Sequence, residues 1–125
     1  MTLHGREILD ALLLFLEGPE NAPEVKEQAL CILGNIASGE SSRDMMMTRM
    51  DIIKKLTNFM LDENVKLQIA ATFCIRNLTW AEEEGSLERQ AILREAGVHK
   101  TLQQLLSTTD TALFDIVKLV LQQFN

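Results

Sequence analysis

Residues 65–80 read VKLQIAATFCIRNLTW. The stretch holds no Gly or Pro, is rich in good helix formers, and is too long for an ordinary strand, so it reads as a buried helix. Its central phrase, Ala71-x-x-Cys74-Ile75-x-Asn77-Leu78, has two echoes. Upstream stands Ala29-x-x-Ile32-Leu33-x-Asn35-Ile36, and downstream Val117-x-x-Val120-Leu121-x-Gln123-Phe124. Asn35 and Asn77 are 42 positions apart, and Asn77 and Gln123 are 46 apart. A helical phrase recurring at that period marks a solenoid of stacked helical layers.

Helices are expected on both sides of each phrase. Residues 6–17 form the first, with Ile8, Leu9, Leu12, Leu13, Phe15 and Leu16 on more than one face and Gly18-Pro19 as its stop. Asn21 is placed to cap the next helix, with Pro23 in the first turn and Glu24 at capping-box spacing. That helix runs over residues 23–37 and buries Val25, Ala29, Ile32 or Leu33, and Ile36. Ser41-x-x-Asp44 resembles a capping box before a short helix at 45–50, followed by a helix at 51–61. Asp62 is the expected cap of the central helix, and Ser86 the cap of a helix reaching residue 96. Gly97 breaks the chain, a helix follows over 98–106, and Asp110 caps the last one, 111–124. Each full unit is therefore a short, a medium and a long helix.

The chain has 125 residues, long enough for one domain and not two. The expected organisation is a single domain, 1–125, with a partial repeat at 6–39 and repeats at 41–81 and 86–125. Apolar residues make up 46% of it, which permits a sizeable core. Formal net charge is −6, from 12 basic and 18 acidic side chains, and the longest basic run is Lys54-Lys55. Such a chain repels phosphate backbones and anionic lipid, so neither nucleic acid nor membrane is an expected partner. Cys31 and Cys74 are isolated thiols, both expected to be buried and inert, which suits a reducing compartment.

The phrases LCILGNIASG and FCIRNLTW resemble third helices of armadillo repeats. The run CIRNLTWAEEEGSLERQAILREAGVHKTLQQLL, with the ending LFDIVKLVLQQFN, is similar to the C-terminal repeats of an armadillo-repeat family that scaffolds the CTLH (GID-type) ubiquitin ligase. The resemblance implies an all-α, armadillo-type right-handed α-solenoid of about two and a half to three repeats. It also implies ubiquitin ligase subunits as partners, and residence in cytoplasm and nucleus. The alternative is an armadillo-like product outside that complex, which binds an extended peptide or self-associates through Leu12, Leu13 and Phe15 of the uncovered first helix.

Candidate binding residues follow from the repeat. In peptide-binding armadillo proteins an Asn at the position of Asn35 and Asn77 bonds the backbone of an extended partner. The other possibility is an Asn at a half-exposed edge that bonds neighbouring backbone. Trp80 follows Asn77 by three positions and shares its helical face, as an interface anchor or as core. Arg76 can meet an acidic partner or Glu83. Glu82, Glu83 and Glu84 form a solvated loop or a rim for a basic partner. The methionines at 45, 46, 47, 50 and 60 fill core gaps or form an adaptable surface. His4 and His99 have no neighbour at ligand spacing, so no metal, cofactor or catalytic residue is expected, and the chain is expected not to be an enzyme.

Overall fold

The computed structural model describes residues 4–18, 21–80 and 85–124. Pro19 and the run Glu82, Glu83 and Glu84 fall outside the described residues, as do the side chains of His4, Glu40 and Ser41. Eight α-helices and no strand occur among the described residues. They are α1 (His4–Glu17), α2 (Pro23–Ala37), α3 (Glu40–Met47), α4 (Met50–Met60), α5 (Val65–Leu78), α6 (Ser86–Glu95), α7 (Val98–Leu105) and α8 (Thr111–Gln123).

Helix ends show which local signals win. Pro23 opens α2, where its missing N–H costs nothing, and holds Ala22 extended. Asn21 does not cap α2. Its Nδ2 donates to the Phe15 carbonyl at 2.9 Å and so ties the α1–α2 turn to the end of α1. The cap of α5 is Asn64, whose side chain accepts from the Lys66 N–H at 2.9 Å. Asp62 stands one step further out and accepts from the Asn64 N–H at 2.8 Å. Asp110 caps α8 as expected, accepting from the Leu113 N–H at 2.9 Å. Ser86 is already helical. The residue that turns the chain into α6 is Gly85, at φ +81°, a conformation that glycine adopts without strain. Gly97 does the same between α6 and α7, at φ +88°. The short helix α3 begins at Glu40, a turn earlier than 45–50, because the chain re-enters helix directly after an extended Gly39.

The long helices lie side by side, α2 against α5 and α5 against α8, so the three phrases are adjacent in space. Behind them α4 packs on α5 and α7, and α1 packs on α2. One continuous core runs through the stack, with Leu30, Leu33, Ile53, Leu56, Met60, Ile75, Leu78, Leu93, Leu102 and Val117 essentially dry. Ala29 and Ala71, the small residues of the phrase, are both buried. Met46, Met47 and Met60 belong to this core, whereas Met50 is exposed.

Three expectations about burial need correction. On α2 the buried stripe is Ala29, Leu30, Leu33, Gly34 and Ala37, while Val25 and Ile32 are exposed, because α1, α3 and α5 pack on α2 and none of the described helices covers the face that carries those two residues. Of the two thiols only Cys74 is buried, and Cys31 is exposed. Leu12 lies in the core and Leu13 packs partly against it, so of the residues expected to mediate self-association only Phe15 is open.

Charged and polar side chains join successive layers. Arg43 on α3 is buried, with Nε donating to the Ala37 carbonyl at 2.9 Å and Nη2 to the Ser38 carbonyl at 3.0 Å. Arg89 on α6 repeats the device: its Nε donates to the Leu78 carbonyl at 2.9 Å. Each guanidinium satisfies carbonyls that the end of a long helix leaves open, where the helix dipole also favours a cation. Gln90 adds bonds from Nε2 to the carbonyls of Thr79, at 3.1 Å, and Gln123, at 2.7 Å.

Candidate functional site

The C-terminal half of α5 gathers most of the candidate residues. Asn77 is half-buried, and its Nδ2 donates to the Gly34 carbonyl of α2 at 2.9 Å. One of its donors is thereby committed to the neighbouring layer. Asn35, beside Gly34, is exposed, and its side chain bonds nothing among the described residues. Asn35 and Asn77 thus occupy equivalent positions with different surroundings.

Arg76 lies between two aromatic rings. Its guanidinium carbon is 5.7 Å from the centroid of Phe73 and 5.1 Å from that of Trp80. Such stacking is worth about 0.5–2 kcal/mol per contact, depending on solvent access. The Arg76 Nε is buried and has no hydrogen-bond partner among the described residues. Trp80, just past the end of α5, is half-buried. Glu82, Glu83 and Glu84 lie outside the described residues.

Phe73 is the member of this cluster that the sequence pattern did not single out. It is exposed, yet its ring meets Gly34: a Cβ built on Gly34 would stand 3.1 Å from Phe73 Cδ1. The absence of a side chain at Gly34 therefore lets α2 and α5 approach under that ring. The signal was available, because Phe73, Arg76 and Trp80 follow at helical spacing.

Elsewhere the polar groups are structural. Cys74 donates its thiol to the Leu30 carbonyl at 3.1 Å, and burial holds its pKa far above the usual thiol range. Arg49 bridges Asp10 of α1, at 2.7 Å, and Asp51 of α4, at 2.9 Å. The hydrogen bonds and charge of Arg49 pull the Asp51 carboxyl below its usual range. His99 meets Phe124 edge-to-face at 5.1 Å, and burial with the nearby Arg94 lowers its pKa. A cavity of about 310 Å³ between α3 and α6 is lined by Arg43, Asp44, Glu88 and Arg89 with Met47, Gly85 and Ile92. Arg89 Nη1 stands 3.9 Å from Asp44 there, and the two signs of charge offset each other. Among the described residues no three His, Cys, Asp or Glu side chains converge as a metal site would require. No helix among them is long and apolar enough to cross a membrane.

Long helices stacked in register, each braced by a medium helix and tied by a short one, define an armadillo-type α-solenoid. The chain is similar in fold to a designed armadillo repeat protein solved in complex with the peptide (KR)4, with a TM-score of 0.77 over 97% of this chain and 50% of that one, at 21% identity. In sequence it is similar to armadillo repeat-containing protein 8, at 51% identity to the Xenopus laevis protein over 124 residues and 99% of this chain. The Mus musculus and Danio rerio proteins match at 50% and 49% identity over the same 99%. The chain spans 17–18% of the length of these relatives, matching a C-terminal part of them. No protein-family model matches the chain.

Proposed function

We propose that the chain is a non-catalytic protein-interaction scaffold that works within a CTLH (GID-type) ubiquitin ligase, in cytoplasm and nucleus, as part of protein degradation. The observation that carries this is the identity of about 50% to armadillo repeat-containing protein 8 along 99% of the chain.

In this proposal the contact surface follows α5 across to α2. Trp80 and Phe73 supply apolar ring area, Arg76 the cation, and Asn35 a free amide for partner backbone. Asn77 holds the layer in place through Gly34 and can offer a partner only what that bond leaves. The rim is Glu82, Glu83 and Glu84. The designed armadillo protein takes a basic peptide. Here Arg76 already covers faces of both rings, so a partner cation would compete with it for them.

Affinity purification of the tagged chain from cells, followed by mass spectrometry, tests both levels. Ubiquitin ligase subunits are the expected co-purifying proteins, and Trp80→Ala and Arg76→Ala are expected to reduce their recovery. Recovery of a folded chain with no ligase subunit would remove the complex assignment. Undiminished recovery by both variants would move the contact surface away from α5.

A further inference from the structure

Where α4 and α7 meet, they leave a groove. Met50, Lys54, Thr57 and Asn58 of α4 line it together with Ala96 of the α6–α7 turn, around a volume of about 390 Å³. The four α4 positions fall on one helical stripe, which points away from Ile52, Leu56 and Phe59, the residues that α4 buries. None of the lining residues belongs to α2 or α5, so the groove is distinct from the surface around Arg76 and Trp80.

The lining joins an apolar floor to an uncommitted cation. Met50 is 46% exposed, whereas Met46, Met47 and Met60 are buried. A flexible thioether at a groove adapts its shape to an incoming side chain. The Thr57 hydroxyl is committed to the Ile53 carbonyl at 2.9 Å. Asn58 is exposed, and its amide bonds nothing among the described residues. Charge is distributed unevenly here. The whole chain carries −6, yet α4 and α7 hold Lys54, Lys55 and Lys100 against one carboxylate, Asp51. Arg49 already holds Asp51 at 2.9 Å, while the three lysines form no ion pair among the described residues. Glu95, beside Ala96, is the exposed carboxylate at the rim. A cationic patch on an acidic protein favours an anionic partner. The net charge of the chain disfavours an anionic membrane as that partner. The volume lies near the lower end of the range for ligand sites, about 300–1,000 Å³, which suits one or two side chains of a peptide.

The geometry points to the α4–α7 groove as a docking site for a partner peptide with an apolar anchor between acidic flanks. A Leu- or Met-sized side chain sits between Met50 and Ala96, its flanking carboxylates meet Lys54, and the Asn58 amide bonds the peptide backbone. The site rests neither on the α5 surface nor on the ligase assignment.

Titration of the full chain with the peptide Asp-Glu-Leu-Leu-Asp-Glu, followed by amide NMR, tests this. Shifts are expected to gather on Met50, Lys54, Asn58 and Ala96 and to leave Arg76 and Trp80 in place, so the outcome is independent of the α5 surface. Lys-Lys-Leu-Leu-Lys-Lys, which reverses the flanks, and Asp-Glu-Ser-Ser-Asp-Glu, which lacks the anchor, are each expected to bind about tenfold more weakly. Lys54→Glu and Met50→Asp are each expected to weaken the first peptide about tenfold. Both positions are exposed, so the helical spectrum should not change, and Lys54→Ala is the milder variant should either disturb it. No binding, shifts centred on α5, or equal affinity for the charge-reversed peptide would overturn the proposal. So would phosphatidylserine vesicles that bind the chain through Lys54 while the peptide does not, because the occupant would then be a membrane surface.

Discussion

The side-chain amide of Asn77 donates to the backbone carbonyl of Gly34 at 2.9 Å, joining α5 to α2 across 43 residues of sequence. Gly34, which accepts the bond, lies against the ring of Phe73. The bond converts an Asn that looks like a surface residue into a tie between layers. Asn35, its equivalent one layer up, has no such role among the described residues.

Asn77→Ala and Asn35→Ala should therefore behave differently. Losing the Asn77 bond is expected to cost about 0.5–1.5 kcal/mol. Loss of the exposed Asn35 amide is expected to stay within about 0.5 kcal/mol. Urea denaturation of both variants checks this, and the gap between them is the informative quantity.

Arg43 and Arg89 are expected to matter more than their charge suggests. Each is buried and closes the carbonyl end of a long helix through Nε. Arg43→Ala or Arg89→Ala is expected to destabilise by about 2–4 kcal/mol, since a charge-assisted bond is lost and buried carbonyls are left open. Lys should rescue poorly, because a single ammonium does not reproduce the guanidinium fork. Thermal melts of the Ala and Lys variants side by side provide the measurement.

Leu78 is fully buried between layers, and Leu78→Ala is expected to cost about 2–5 kcal/mol through lost contacts and a cavity. Leu14→Ala, at an exposed position of α1, is the control and is expected to change stability by less than about 0.5 kcal/mol. Denaturant titration of the pair decides.

The two thiols should separate cleanly in reactivity. Cys31 is exposed, whereas Cys74 is buried, bonded to Leu30 and held protonated by its surroundings. A thiol reagent is expected to label Cys31 in the native protein and Cys74 only on unfolding. Peptide mapping after native and denatured labelling reads both sites.

Acid should loosen the Arg49–Asp51 pair at the start of α4. Arg49 lowers the Asp51 pKa in the folded state, so the pair's contribution is present above the unfolded value, near pH 4, and fades as pH falls through the folded one. The Asp51 carboxylate is half-exposed, so the effect is small. Arg49→Gln is expected to flatten that part of the stability–pH curve, which melts between pH 2 and 6 would record.

Fold class was legible because the triple phrase states helix, period and small-residue spacing together. The missed details have physical causes. Periodicity on α2 does not choose between Ile32 and Leu33, and the helices packed on α2 bury Leu33 and leave Ile32 open. Asp62 and Asn64 are both good caps, and the choice between them depended on where the chain leaves α4. Arginines inside helices read as solvated, so Arg43 and Arg89 gave no hint that they close the layer before them. At the surface, Asn77 and Trp80 were legible as one helical face and Arg76 as a cation beside them, while Phe73 carried the spacing to Arg76 and Trp80 but its contact with Gly34 came only from the packing of α2 on α5.

Hydrogen exchange of the native protein, followed helix by helix, tests the stacked-layer account most directly. α5 is flanked by α2 and α8, so its amides are expected to exchange slowest, with α1 and the far end of α8 opening first. An α5 that exchanges as fast as α1 would contradict a stack in which the central long helix is held from both sides.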